Sequence, residues 1–416
     1  MSLSYRDDVL RNCTPDLEVP FPVEEYDARL KKVQARMAKD DIEVLFVSAP
    51  EGINYLSGYQ CEWYQAQGAK QWPATSGIAV HVGKPEFILF DTEREWVLSR
   101  YCSCSRDTRI FPPTSMRDGQ AFIVDELKKD GWLKDGTRVG LEFWSYRPNR
   151  ILSQRFEQKF VDAGATVVDG SDVLREVRWV KSPLEMAAIE EAARIADVGL
   201  MAARDAIRPG VMELEVYAEM VAALAGAGGE NPAITQPVLS GKKANAAHAM
   251  SSRRKIHEGD LVLVDCSGVV KRYHCNMART YACGDPGKDV LDYARRCSAS
   301  MKVLGELIRP NLPVRELYQT MKSFYEDQGV WQDRGFIGGY EMGIAFHPDW
   351  VGNFIYDVNS SENIDRVFEP GTAVNYENQY FMPRQKGLYF MIETLCFLDN
   401  EARLMSRLPY ELEVVG

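Results

Sequence analysis

The spacing of hydrophobic residues along the first 172 positions switches repeatedly between a helical and a strand-like pattern. Apolar residues that recur every three or four positions predict amphipathic helices, whereas short uninterrupted apolar runs predict buried strands. Helical spacing covers 24–39, 51–59, 120–129 and 147–163, and strand-like runs cover 42–48, 77–82, 87–90, 138–142 and 165–168. This alternation predicts an α/β domain over residues 1–172, which opens with an extended, proline-containing leader at 1–22.

Longer helical segments dominate the next part of the chain, and strand-like segments dominate its end. Residues 182–185, Ser-Pro-Leu-Glu, predict a helix start, because they combine a capping serine, a first-position proline and a third-position glutamate. Helical spacing covers 183–207, 213–225, 290–309 and 314–328, and strands are predicted at 235–240, in a hairpin at 261–284 and around Glu377 and Glu393. Residues 173–416 therefore form a second, α+β domain, in which the glycine-rich stretch 335–351 is interpreted as a loop.

The hairpin 261–284, LVLVDCSGVVKRYHCNMARTYACG, carries unusually many polar groups for a buried segment. An apolar run ends at Asp265, Ser267-Gly268 is the predicted turn, and a second run follows at 272–283. Buried polar groups cost free energy unless they are paired. The hairpin is therefore either a satisfied polar network of the core or an active site.

Composition and charge exclude several classes of function. The chain has 416 residues and a formal net charge of −11, which disfavours nucleic acids and anionic membranes as partners. Its nine irregularly scattered cysteines predict a reducing, cytoplasmic compartment rather than a disulfide framework. The first residues lack the apolar stretch of a signal peptide, and no run approaches the roughly 20 apolar residues of a membrane span.

Several further segments complete a recognisable pattern when they are taken with the hairpin. They are VLFVSAPEGINYLSGY, RWVKSPLEMAAIEEAARIAD, LSGKKANAAH, GGYEMGIAFHPDW, EPGTAVNYEN and FMIETL. In order and spacing the chain resembles the creatinase/prolidase/methionine aminopeptidase family, also called the pita-bread family. The resemblance implies an N-terminal creatinase-like domain, a C-terminal pita-bread catalytic domain, hydrolase activity and a homodimer.

The metal ligands of this family are only partly retained. Its metalloenzymes bind two divalent ions through two Asp, one His and two Glu side chains. The resemblance places these ligands at Asp265, Asn276, Tyr340, Glu377 and Glu393. Asparagine is a weak neutral ligand, and tyrosine would have to lose a proton whose ordinary pKa is about 10. We therefore expect no metal cofactor, and any single ion would be held by Asp265, Glu377 and Glu393.

The segment 273–280, YHCNMART, resembles the corresponding segment of ectoine-hydrolase-like members of the family. Glu377, in contrast, is a residue that the resemblance shares with creatinase-like members. Both of these branches work without metal. Carboxylates that share a pocket without metal require a bound cation or a retained proton. The resemblance thus implies hydrolysis of a non-peptide C–N bond in a small zwitterionic amidine, guanidino or amide compound, whose cationic group is held by the acids.

The resemblance also implies roles for particular residues. His248 is the expected general acid/base, and His347 joins it together with the three carboxylates. His274 is open between a structural and a catalytic role, and Arg279 between a substrate carboxylate and an ion pair with Glu393. Trp63 and Tyr64 match a region that reaches the neighbouring subunit's pocket in dimeric relatives, as a cation–π wall or as plain packing. The expected substrate contacts are Tyr273, His274, Asn276, Arg279, Tyr340, Trp63 and Tyr64.

Two other functions remain open at this point. The first is a metal-dependent Xaa-Pro dipeptidase or aminopeptidase that keeps its ions despite Asn276 and Tyr340. The second is a catalytically inactive pita-bread fold that serves as a binding module. Two tightly bound ions per chain would favour the peptidase, whereas retention of His248, His347, Glu377 and Glu393 disfavours the inactive module.

Overall fold

A computed structural model describes residues 3–61, 76–112, 118–348, 354–357 (backbone only) and 363–416. The chain divides into two compact units, Met1–Arg178 and Trp179–Gly416. Trp63 and Tyr64, the expected cation–π residues, lie outside the described residues. Among the described helices, none combines the length and the apolar character that crossing a membrane requires.

The part of the chain before residue 180 alternates helices and strands, as the hydrophobic pattern predicts. Its helices are α1 (Tyr5–Asn12), α2 (Val23–Lys39), α3 (Pro50–Ser57), α4 (Trp96–Cys102), α5 (Gly119–Lys129), α6 (Arg150–Asp162) and α7 (Ser171–Trp179). Its strands are β1 (Val44–Val47), β2 (Gly77–His81), β3 (Ile88–Asp91), β4 (Thr108–Ile110), β5 (Arg138–Leu141) and β6 (Thr166–Asp169). They form one mixed sheet in the order β4-β3-β2-β1-β5-β6, which confirms the α/β prediction.

Helix α1 corrects the prediction of an extended leader. The Ser4 hydroxyl caps this helix by accepting the Asp7 N–H at 3.1 Å. None of its residues is buried. Because the helix buries no apolar face, the sequence carries no hydrophobic periodicity that could have revealed it.

The second unit surrounds a large sheet. Its helices are α8 (Pro183–Ala206), α9 (Glu213–Gly226), α10 (Lys288–Ser298), α11 (Ser300–Leu307) and α12 (Val314–Asp327). Its strands are β7 (Val238–Ser240), β8 (Asp260–Cys266), β9 (Val269–Val270), β10 (Tyr273–His274), β11 (Met277–Cys283), β12 (Leu312–Pro313), β13 (Arg334–Tyr340), β14 (Phe354–Asp357), β15 (Val367–Phe368), β16 (Ala373–Phe381), β17 (Leu388–Phe397), β18 (Ala402–Leu404) and β19 (Glu413–Val415). The predicted capping box at the start of α8 is present, with Ser182 and Glu185 bonded reciprocally.

The main sheet runs in the order β14-β13-β16-β17-β11-β8-β7, with β18 paired to β17 and β19 to β11. Helices α8 and α9 cover one face of the central strands through a cluster that includes Val262, Val264 and Met277. Successive strand residues point to opposite faces, so the residues between these, including Asp265, face the other way. The face that helices α8 and α9 leave uncovered carries the polar groups described below.

The hairpin has a different turn from the one predicted at Ser267-Gly268. Strand β8 pairs with β11 in a register that places Cys266 opposite Met277, and the small β9–β10 ribbon is inserted between them. The turn lies at Lys271 and Arg272, whose φ angles of 54° and 65° are typical of a two-residue hairpin turn. Gly268 is needed for close packing instead, because a Cβ there would collide with a backbone carbonyl of α8.

The sequence predicts a loop over the glycine-rich stretch 335–351, but its first part belongs to strand β13. This strand pairs with β16 and places Gly338 opposite Glu377. A Cβ at Gly339 would collide with the carbonyl oxygen of Asn375. The glycine therefore permits close strand approach, which the sequence alone does not distinguish from a loop.

Candidate active site

Strand pairing brings two of the predicted acids onto one face of the large sheet. Asp265 on β8 lies opposite Ala278 on β11. Ala278 lies opposite Ile392 on β17, which in turn lies opposite Glu377 on β16. Residues directly opposite one another project to the same side, so Asp265 and Glu377 share this face. The floor between them is apolar, because Ala278 and Ile392 belong to a buried cluster with Leu263.

Three amide side chains hold the two acids. Asn276 Nδ2 donates to Asp265 Oδ1 at 2.8 Å, and Asn375 Nδ2 donates to Glu377 Oε1 at 2.9 Å. Asn375 Nδ2 also donates to Asn276 Oδ1 at 3.0 Å, which joins the two halves of the network. Gln379 Nε2 donates to Glu377 Oε2 at 3.2 Å. The sequence reasoning missed Asn375 and Gln379, although alternate positions on a strand that carries Glu377 are a signal that could have found them.

Tyr340 joins the same network at the position where the resemblance expects a metal-ligating histidine. Its hydroxyl donates to Asn276 Oδ1 at 3.3 Å, and its backbone N–H donates to Asn375 Oδ1 at 2.8 Å. The structure therefore brings together Asp265, Asn276, Tyr340 and Glu377 of the residues that the sequence singled out.

The pKa values of both acids are raised above their ordinary values. Burial, followed by the negative charge of Glu377, raises the pKa of Asp265 to about 7. Burial also raises the pKa of Glu377, and this rise is opposed first by hydrogen bonding from Tyr340. A nearby positive charge would favour ionisation of both acids, so the site is suited to a cationic group.

His248 lies beside this face on a loop after β7. The loop begins with the short 3₁₀ turn Gly241–Asn245, whose Ala244 packs into the same buried cluster as Leu263. The imidazole is exposed and lies near enough to Glu377 for its charge to lower the pKa of that carboxyl. His248 therefore lies near Glu377, and its acid/base role stays a prediction.

Glu213, which the sequence reasoning did not single out, ties down both ends of the His248 loop. The carboxylate is fully buried and accepts the N–H and hydroxyl of Ser240, each at 2.9 Å. Its second oxygen accepts the N–H and hydroxyl of Ser252 at 2.9 Å and Lys243 Nζ at 2.6 Å. No sequence pattern revealed this role, because its partners lie 27–39 positions away along the chain.

Glu393 does not join Asp265 and Glu377, which corrects the expectation that three carboxylates converge. It is adjacent to Ile392 on β17, so it projects to the opposite face of the sheet. There it contacts Arg279 Nη2 at 3.3 Å and accepts the Ser406 N–H at 2.9 Å. Thr394 takes the place beside the site, where its hydroxyl and the backbone of Asn276 exchange two hydrogen bonds of 2.9 Å.

Arg279 has a structural role in this arrangement and does not reach the acid face. Besides Glu393, its guanidinium donates to the carbonyl oxygens of Pro409, Ala278 and Ile392 at 2.9–3.0 Å. Only 3% of the residue is exposed. The ion-pair alternative from the sequence therefore describes Arg279 better than contact with a substrate carboxylate.

Tyr273 and His274 are also buried supports rather than substrate contacts. The Tyr273 hydroxyl donates to Glu185 at 2.7 Å. His274 Nε2 accepts the Ala233 N–H at 2.9 Å, so Nδ1 carries the proton and donates to the Arg272 carbonyl at 2.9 Å. Both ring nitrogens are used by backbone groups, which favours the structural alternative for His274.

The β9–β10 ribbon holds the loop that carries His347. The His274 backbone N–H donates to the Gly343 carbonyl at 2.9 Å. The Ala345 N–H donates to the Arg272 carbonyl, and Arg272 Nη2 donates to the Ala345 carbonyl. The Arg272 guanidinium also lies 4.8 Å from the ring centroid of Phe346. His347 follows at the exposed end of this loop. The segment that resembles ectoine-hydrolase-like proteins therefore supports a histidine loop.

Acid is expected to destabilise the protein through His274. Burial, followed by the charge of Arg272, lowers the pKa of this imidazole from 6.5 to about 3. The unfolded chain therefore binds a proton between these values that the folded chain excludes. Between pH 7 and pH 5 we expect a loss of about 2 kcal/mol in the free energy of unfolding from this residue, measured by urea denaturation.

The experiment compares wild type with the test variant His274→Gln and with the matched control His257→Gln. His257 is exposed, so its replacement should leave the pH dependence of wild type unchanged. The His274→Gln protein should lose about 2 kcal/mol less than wild type over the same range. Equal pH dependence in wild type and His274→Gln would show that the buried imidazole does not cause it.

The residues present do not match the two-metal centre of the peptidases in this family. Amide N–H groups occupy oxygens of Asp265 and Glu377, and amide nitrogens that carry protons are not metal ligands. Glu393 lies on the other face. Within the described parts of the chain, no cluster of three or more His, Cys, Asp or Glu side chains is arranged to hold a metal ion.

Comparison with known proteins defines the class. Residues 187–399 match metallopeptidase family M24, and residues 29–180 match the creatinase/prolidase N-terminal domain. The chain therefore belongs to the creatinase and M24 family and is a hydrolase of that class. This assignment confirms the resemblance and the two-domain architecture expected from the sequence.

The individual relatives differ in activity. The chain is 23% identical to an Xaa-Pro dipeptidase of Pyrococcus furiosus, with 92% of this chain and 99% of that protein covered. It is 24% identical to a creatinase of Bacillus sp., with 97% and 96% covered, and 25% identical to an ectoine hydrolase of Halomonas elongata, with 96% and 99% covered.

Among solved structures, the prolidase of Pyrococcus horikoshii OT3 has a TM-score of 0.74 at 20% identity and covers 92% of this chain and 99% of its own. This similarity shows a shared fold. Identities of this size do not select one of the three activities.

Proposed function

We propose that the protein is a metal-independent hydrolase that cleaves a non-peptide C–N bond in a small zwitterionic amidine, guanidino or amide compound. The observation that carries the proposal is the pair Asp265 and Glu377, held on one face by amide N–H groups with His248 beside them. Such a pair can bind a cationic nitrogen group without a metal, because the positive charge of that group compensates the negative charge of the carboxylates and favours their ionised form.

The chemistry assigned to the chain's own residues is proton transfer and orientation. Asp265 and Glu377 accept hydrogen bonds from the cationic nitrogens and orient the carbon that bears them. His248 takes a proton from the attacking water as its oxygen bonds to that carbon. The same imidazole returns the proton to the departing nitrogen when the C–N bond breaks. His347 is assigned to the same catalytic set, and Glu393 is reassigned to structural support.

An Xaa-Pro dipeptidase is the second candidate, because the relatives of that name align over nearly the whole chain. The proposal further includes a cytoplasmic homodimer that acts on a small molecule, with no nucleic acid or membrane partner and no cofactor. The formal charge of −11 supports the absence of nucleic acid from this set. Light scattering of the purified protein tests the dimer.

A substrate panel with and without chelator tests the proposed function. The panel contains ectoine, creatine, related guanidino and amidino acids and Xaa-Pro dipeptides, and metal content is measured on the same preparation. We expect turnover of an ectoine-like or creatine-like compound that is unchanged by chelator. Turnover of Xaa-Pro dipeptides alone, lost on chelation and accompanied by about two bound ions per chain, would establish the peptidase instead.

A further inference from the structure

A hydrogen bond from the backbone determines which way the amides of the site point. The Tyr340 N–H can only donate, and it donates to the Asn375 side chain at 2.8 Å. The acceptor must be the oxygen of that amide, so the NH₂ group of Asn375 points away from β13. Because Tyr340 is held in the paired strand β13, this orientation is built into the sheet.

The orientation of Asn375 then determines the orientation of Asn276. The Asn375 NH₂ group donates to Asn276 Oδ1 at 3.0 Å and to Glu377 Oε1 at 2.9 Å. The Tyr340 hydroxyl donates to the same Asn276 oxygen at 3.3 Å. With its oxygen occupied twice, Asn276 presents its NH₂ group to Asp265 at 2.8 Å. The backbone N–H of Tyr340 therefore determines, through Asn375 and Asn276, that amide N–H groups face both Glu377 and Asp265.

This polarity is unfavourable for a metal ion. A divalent cation needs oxygen or nitrogen lone pairs directed at it, whereas the amides direct N–H groups at Asp265 and Glu377. Turning Asn276 around would point its NH₂ group at the NH₂ group of Asn375, whose orientation the Tyr340 N–H fixes. An unpaired buried donor costs about 1–3 kcal/mol, so this clash opposes the change.

We infer that Asn375 is a positioning residue that sets the hydrogen-bond polarity of the site, so that amide N–H groups, and not a metal ion, hold Asp265 and Glu377. The inference rests on the proposed function and deepens it. Asp265 keeps partial exposure, and its remaining acceptor capacity faces away from Asn276. The ligand class is therefore a cation with several N–H donors, such as an amidinium or guanidinium group.

Changing Asn375 to aspartate tests the inference without any substrate. Asn375→Asp keeps the acceptor for the Tyr340 N–H, removes both donated hydrogen bonds and adds a carboxylate beside Glu377. We expect this variant to bind Mn²⁺ about tenfold or more tightly than wild type in calorimetric titrations, because ligand charge tunes affinity for divalent ions. Mn²⁺ should also raise its unfolding temperature.

The matched control is Asn378→Asp. Asn378 lies on the same strand and is equally buried, but its side chain donates to Ser300 and Tyr325 on the other face. This variant carries the same added charge and should bind Mn²⁺ no better than wild type. Equal Mn²⁺ affinity in both variants would overturn the inference while leaving the proposed function to the substrate panel.

Two further measurements cover the case in which Asn375→Asp does not fold. Gln379→Glu removes the hydrogen bond to the second oxygen of Glu377 and should also tighten Mn²⁺ binding relative to wild type. Titration of the wild-type protein is informative by itself, because tight Mn²⁺ binding there would overturn the inference. The proposed function is tested separately by the substrate panel. It fails if only Xaa-Pro dipeptides are turned over, whatever the Mn²⁺ affinities of the variants are.

Discussion

Replacement of His248 by alanine is expected to lower turnover of the substrate found in the panel by about 10²–10⁴-fold. In the proposed mechanism this exposed imidazole, which lies near Glu377 on a loop that Glu213 ties at both ends, transfers the proton. Its removal deletes the proton transfer but no buried contact. Steady-state rates and the unfolding temperature, measured on the same preparation, check the prediction.

The fold should be unaffected by this change, because exposed side chains away from special features contribute within about 0.5 kcal/mol. His257→Ala is the matched control, since it removes a second exposed imidazole on the segment before β8. That variant should keep full turnover. Near-wild-type rates in the His248→Ala protein would remove His248 from the mechanism.

Replacement of Arg279 by leucine is expected to lower the free energy of unfolding by about 3–5 kcal/mol, the range for breaking a buried ion pair. The change leaves the Glu393 carboxylate fully buried without its cation. It also leaves the Pro409, Ala278 and Ile392 carbonyl oxygens without their donor. Urea denaturation, followed by a probe in the second unit, measures the loss.

Two controls separate the ion pair from general effects of losing an arginine. Arg403→Leu removes an exposed arginine that pairs with Glu190 and Glu401, and should cost no more than about 1 kcal/mol. Adding Glu393→Gln to Arg279→Leu should restore part of the loss, because the unpaired charge is then gone. A loss below about 1 kcal/mol in Arg279→Leu would contradict the buried pair.

Tyr273 and His274 belong to the segment that resembles ectoine-hydrolase-like proteins, and in the structure they have a supporting role. These side chains bond to Glu185 and to backbone groups, and the ribbon that carries them holds the His347 loop. Their resemblance to ectoine-hydrolase-like proteins therefore concerns the support of a loop. The acid face with Asp265 and Glu377 lies on other strands.

Much of the architecture was predictable because its signals are local. Hydrophobic periodicity indicated most of the helices and strands that the structure contains, and the Ser182 capping box indicated the start of α8. The positions of Asp265, Asn276, Tyr340 and Glu377 followed from the family resemblance, and the structure brings these four together. Helix α1 escaped prediction because it buries no apolar face.

Strand register was decided only by the tertiary structure. Motif spacing along the chain names Glu377 and Glu393, but it does not say which residue of β17 lies opposite Glu377. The structure places Ile392 there, so Glu393, the next residue along the strand, projects to the opposite face. The amide polarity from Tyr340 through Asn375 likewise depends on three strands meeting. The sequence by itself determined the family, the two domains and the identity of the acids, whereas pairing between distant strands decided which of them face one another.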